Sequence, residues 1–147
     1  MKEINSNYTQ YFLLCAIILL GLIIRLYFYV GHIFSDDAYY SYLGYTFLNG
    51  EFANDFLGYP VFPLRIAFIG LTAISMNLFG TNESATLILP IMFSLLSILL
   101  AYKMTRLITN DENISITASV LMAFFPTDII FASIAFPDLI NIFFELH

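Results

Sequence analysis

Apolar residues along this chain gather into long runs separated by short polar breaks. The first run, YFLLCAIILLGLIIRLYFYV over residues 11–30, is interrupted only by Gly21 and Arg25. At about 1.5 Å per residue it covers the roughly 30 Å of a bilayer hydrocarbon core, and it predicts a transmembrane helix. Ser35 or Asp36 then suits the N-cap of a short aromatic helix that stops at Asn49-Gly50. That helix is too polar at its start to cross a bilayer, and Tyr39, Tyr40, Tyr42 and Tyr45 suit the boundary between lipid and water. Residues 66–79 are apolar but reach only about 21 Å as a helix, which is short for a crossing. Residues 85–102 predict a second span, with Pro90 tolerated near its start, and the polar turn KMTRLITNDEN closes it. A third apolar stretch begins at Ile114, meets Pro126 and Asp128, and a further helix is expected from residue 138, after Pro137.

Composition strengthens this pattern. Hydrophobic residues make up 60% of the chain and charged residues 11%, against roughly 25% charged in soluble domains. The mean hydropathy is +0.84. No polar segment is long enough for a separate soluble domain, so the expected fold class is all-α, a polytopic helical membrane protein in one domain. The single Cys15 can build no disulfide framework. The first ten residues are too weakly basic for a cleaved signal peptide, and the run behind them reads as an uncleaved anchor. A net charge of −6 with no basic stripe argues against nucleic acid as a partner. Glycine-rich phosphate loops, zinc-spaced Cys/His sets and nucleophile elbows are absent from the sequence.

The placement of Lys2, Arg25, Arg65, Lys103 and Arg106 selects a topology. If residues 66–79 crossed the bilayer, Lys103 and Arg106 would face outward and the inner turn GTNES would carry no basic residue. If they form a half-buried or interfacial helix, Lys2, Lys103 and Arg106 all face inward, as the positive-inside rule asks. The second arrangement has spans near 11–30, 85–102 and 114–126 and a short one from 138. Its large external loop, 31–84, carries interfacial helices. Asp36, Asp37, Glu51, Asp55, Arg65 and Glu83 then lie in that loop, and Asp128 and Asp138 return to the same outer side. The expected location is a plasma membrane or an ER-type membrane, with the active face external or lumenal.

The acidic pair Asp36-Asp37 is the strongest candidate for chemistry. A carboxylate at the mouth of a span can take a proton from an attacking hydroxyl, and two together offer hard oxygen ligands to a divalent cation. The pair can equally serve as a cap at the positive end of a helix dipole. Asp37 would orient Asp36, share a cation, or stand in solvent. Arg65 suits a phosphate, because a guanidinium fork matches phosphate oxygens, or it snorkels to the interface. Arg25 lies about 8 Å below the outer end of the first span, where snorkelling or pairing with Asp36 or Asp37 is expected. Asp128 and Asp138 each follow a proline and suit helix caps. His32 is a weak candidate for a metal ligand.

The order of these features resembles the amino-terminal part of the GT-C glycosyltransferases, with most similarity to the protein O-mannosyltransferase and aminoarabinose-transferase branch. The resemblance rests on Arg25 near the end of the first span, Asp36, Asp37 and Tyr40, Gly50, Tyr59-Pro60 with Pro63, Phe79-Gly80, Lys103 and Arg106, and Pro126 followed by Asp138. It implies transfer of a sugar from a polyprenyl-phosphate donor to a protein or glycolipid acceptor, with Asp36 catalytic. It also implies substrate contacts for Asp37, Tyr40, Arg65 and Asp138. A divalent cation, held by Asp36 and Asp37, is the only cofactor it leaves open. The string YPVFPLR departs from the family pattern. The family's enzymes are several times longer, so the expectation is an amino-terminal fragment that is inactive alone. The alternative is a small, non-enzymatic polytopic membrane subunit or carrier component, whose outer carboxylates bind cations or a partner.

Overall fold

The computed structural model describes residues 2–33, 36–51 and 65–134, with only the backbone described for 2–7. All regular structure among these residues is helical: α1 (Lys2–Tyr27), α2 (Asp36–Leu48), α3 (Ile66–Phe79), α4 (Glu83–Thr109), α5 (Glu112–Ala123) and α6 (Pro126–Ala132). Two helices are long and apolar enough to cross a membrane, α1 over Tyr8–Tyr27 and α4 over its whole length. Together α5 and α6 form a third candidate crossing, broken by a bend of 53°. The apolar surface of α1 agrees with this setting, since Phe12, Leu19, Leu20, Ile23 and Leu26 all face outward.

Small residues set how closely α1, α4 and α5 approach. A Cβ on Gly21 would lie 2.7 Å from Ile98 Cδ1 and 3.8 Å from Ala123 Cβ, so the three helices meet at this glycine. Ser115, Ser119 and Ala123 repeat every fourth residue on α5 and are all buried. Between apolar helices in lipid, such a stripe replaces the hydrophobic effect with close packing. Gly21 faces Ile98 while Arg25 bonds to Ser94, so α1 and α4 run antiparallel. The turn between α4 and α5 is only Asn110-Asp111. Asn110 takes the left-handed conformation at φ 52°, and the Asp111 side chain accepts from Asn113 N and Ile114 N at 2.8 and 3.2 Å. The polar string after residue 102 is therefore mostly helix: its Lys and Arg lie on the last two turns of α4.

The expected first span is shifted in the structure. Its helix runs from Lys2 to Tyr27, and the chain is extended or turned from 28 to 33, with Gly31 at φ +84°. The Gly31 backbone lies against the Glu83 carboxylate, so the exit of α1 and the start of α4 meet at one end of the bundle. Residues 33–82 therefore leave and return at the same end. The 14-residue α3 is apolar but shorter than α1 and α4.

Helices α2 and α3 pack side by side at that end. Tyr40, Leu43, Phe68 and Ile69 form their buried cluster, against which Tyr39, Leu89 and Phe93 pack. Gly44 permits the approach, since a Cβ there would meet Thr72 Cγ2 at 2.8 Å. Helix α2 stops as its sequence predicts. Gly50 sits at φ +75°, Glu51 N donates to Thr46 O at 2.8 Å, and Gly50 N donates to Phe47 O at 3.2 Å, the paired bonds of a Schellman end.

The expected third span, 114–126, falls within the bent pair α5 and α6. The helix begins at Glu112, ends at Ala123, and resumes as α6 with Pro126 in its first turn. A proline has no N–H to continue a helix and clashes with the carbonyl four residues back. The break leaves carbonyls of α5 unpaired, and one of them, Ala123 O, accepts from Arg25.

Candidate functional site

The end of the bundle where α1 exits, α2 begins and α4 starts gathers Asp36, Asp37, His32 and Glu83. Asp36 is the first residue of α2 and is exposed. Asp37 beside it is fully buried. Its Oδ2 accepts from Ile33 N at 2.5 Å and its Oδ1 from Ala38 N at 2.8 Å. Backbone donors thus compensate the buried carboxylate, and the bond to Ile33 ties the α1 exit to α2. Asp37 does not stand in solvent, and it leaves its neighbour as the accessible carboxylate.

His32 joins α2 to α4. Its Nε2 lies 2.9 Å from both Ser41 Oγ and Thr86 Oγ1. The Ser41 hydroxyl also bonds Asp37 O and the Thr86 hydroxyl bonds Glu83 O. His32 N also donates to Glu83 Oε1 at 2.6 Å. His32 thus acts as a structural bridge, and among the described residues no group of three or more His, Cys, Asp or Glu comes together to hold a metal.

Arg65, immediately before α3, is half-buried and donates from Nη1 to Tyr40 Oη at 2.5 Å. Tyr40 is buried, edge-on to Phe68 at 5.4 Å between ring centroids. It is thus not part of an interfacial tyrosine belt. It braces Arg65, whose remaining N–H groups are the nearest match to an anionic ligand. Tyr42 and Tyr45 are exposed, as a surface role requires. Asp138 lies outside the described residues.

Arg25 corrects the expectation of snorkelling or of pairing with Asp36 or Asp37. Its side chain is fully buried and forms a salt bridge with Asp128 of α6. Nε donates to Ser94 Oγ, Nη1 to Gly21 O at 2.9 Å and to Ala123 O at 3.2 Å, and Ser94 Oγ in turn bonds Asp128 Oδ2. Ser94 is 11 residues into α4, about 16 Å below its start. At that depth the acidic pair at the end of the bundle is out of reach. Asp128 is therefore not a helix cap at the outer surface; it is the counter-ion of Arg25. Its Oδ1 has no hydrogen-bond partner among the described residues.

Sequence reasoning left two relationships unread. One is this ion pair, for which the signal was two opposite charges each stranded in an apolar run. The other is the clasp of Glu83 on Gly31 and His32, for which only the glycine gave a hint. Beyond α1, burial and then the nearby Glu83 raise the Tyr29 phenol above its ordinary pKa, against a bond to Ser84 that lowers it.

Comparison with models of protein families, with curated proteins and with solved structures finds no match to this chain.

Proposed function

We propose that this chain carries the acidic loop of a polyprenyl-phosphate-sugar-dependent glycosyltransferase of the GT-C kind, transferring a hexose such as mannose to an acceptor at the membrane surface. The observation that supports this reading most is the division of labour in the acidic pair. Asp37 is buried and held by two backbone N–H groups, while Asp36, one residue away on the first turn of α2, is exposed.

In this reading the acceptor hydroxyl gives its proton to Asp36 as its oxygen attacks the anomeric carbon. The bond from that carbon to the phosphate oxygen breaks, and the polyprenyl phosphate leaves with the electron pair. The configuration inverts, as a single displacement requires. Arg65, braced by Tyr40, neutralises the leaving phosphate. Lys103 and Arg106 lie near the end of α4 opposite Glu83, which supports an inward setting for that end by the positive-inside rule.

The test is transfer of labelled mannose from polyprenyl-phosphate mannose in proteoliposomes holding the product of the native reading frame. Asp36→Asn is expected to lower transfer by about 10² to 10⁴-fold with donor binding retained. Wild-type transfer by that variant removes Asp36 from the role of base. A wild-type protein that binds no donor and forms a stable oligomer would favour the non-enzymatic membrane subunit.

A further inference from the structure

Between α2 and the start of α4 lies a cleft of about 300 Å³, lined by His32, Tyr42, Tyr45, Met76 and Glu83 together with short hydroxyl and amide side chains. Its volume is at the small end for ligand sites. Three observations limit what it can take. First, among the described residues its only full charge is the Glu83 carboxylate, and no Lys or Arg lines it. Second, that carboxylate is exposed but tethered. Glu83 Oε1 accepts from His32 N, the chain passes so closely at Gly31 that a Cβ there would collide with Oε1, and Oε2 has no partner among the described residues. Glu83 is also the first residue of the 27-residue α4. Third, the two tyrosines that line the cleft with this carboxylate are about half exposed, at 54% and 47%.

We infer that this cleft is a binding site for an organic ammonium group, the head of a lipid or a free amine. A tethered carboxylate in one cleft with electron-rich rings attracts a cation through both charge and the ring quadrupoles. The same surface repels phosphate, since no basic group is there to neutralise it. The cleft sits where the exit of α1 meets the start of α4, the level at which lipid headgroups lie against a spanning helix. The site uses neither Asp36 nor Arg65 and stands independently of the sugar-transfer reading.

The probe is choline chloride, titrated calorimetrically into the intact protein in uncharged maltoside micelles, with 3,3-dimethylbutan-1-ol as the uncharged isostere. Choline is expected to bind saturably and at least about tenfold more tightly than the isostere, within the range that cation–π contacts and one carboxylate supply. Glu83→Gln keeps an oxygen to accept from His32 N and is expected to weaken choline about tenfold. Tyr45→Ala, at an exposed position, is expected to weaken it about fivefold. Asp36→Asn is expected to leave it unchanged. Absence of saturable binding, equal binding of choline and its isostere, or unchanged affinity in Glu83→Gln would each overturn the assignment. Nanodiscs then separate the sources, both of which uphold an ammonium site. Weaker choline binding in phosphatidylethanolamine than in an uncharged galactosyl diacylglycerol identifies a lipid headgroup as the occupant, and equal binding identifies a free amine.

Discussion

Arg25 of α1 and Asp128 of α6 form a salt bridge in which the side chains are 0% and 2% exposed, at a break between two helices. Ser94 of α4 bonds to both partners, so one polar cluster joins three helices. A charge at this depth is tolerated only with such partners. One α5 carbonyl at the break, Ala123 O, finds a donor in the same guanidinium.

Removing either member alone leaves an uncompensated buried charge. Arg25→Leu or Asp128→Leu is expected to destabilise the protein by about 3–5 kcal/mol. The double variant is expected to recover most of that loss. Reversible unfolding in mixed micelles with increasing SDS measures it, and a double variant no more stable than the singles would contradict a role resting on charge pairing.

Gly21 is expected to tolerate alanine at a small cost. The nearest atom to an added Cβ is the far end of the Ile98 side chain, 2.7 Å away, which can rotate aside. Leucine has no such room between α1, α4 and α5 and is expected to cost about 1–3 kcal/mol or more through overpacking. The same unfolding assay should rank the two variants, and equal stabilities would mean that the helices part at little cost.

Asp37 and Asp36 should separate stability from activity. Asp37→Ala removes the acceptor for Ile33 N and Ala38 N and is expected to cost about 1–3 kcal/mol. Asp36→Asn, at an exposed position, is expected to change stability by less than about 0.5 kcal/mol. Amide exchange at Ile33 gives a local readout, rising in Asp37→Ala and staying at the wild-type rate in Asp36→Asn.

Tyr29 links alkaline pH to stability. Burial and Glu83 disfavour its phenolate, so its folded pKa lies above the unfolded value of about 10. The folded state then holds the proton more tightly. The resulting stability is complete below the unfolded pKa and is lost as the pH rises from there through the folded value. Glu83→Gln is expected to move the Tyr29 titration downward without returning it fully to normal, because burial is the larger cause. Carbon-13 labelling of the tyrosine rings resolves this residue by comparison with Tyr29→Phe.

The helical class and the membrane character were legible because they depend on local quantities. Run length and apolar content mark α1 and α4, and Asn49-Gly50 and Pro126 mark ends that backbone stereochemistry imposes on any fold. The shortness of α3 was legible for the same reason. Charge partners were not, because a side chain's partner is set by which helices pack together. Gly21, Ile98 and Ala123 bring α1, α4 and α5 close enough for Arg25 to reach Asp128, 103 positions away, and the early end of α1 at Tyr27 puts that arginine too deep for the acidic pair. In the same way adjacent aspartates that look equivalent in the sequence become one buried and one exposed, because successive positions on a helix point about 100° apart and only the packing of the α1 exit on α2 decides which of them faces the protein.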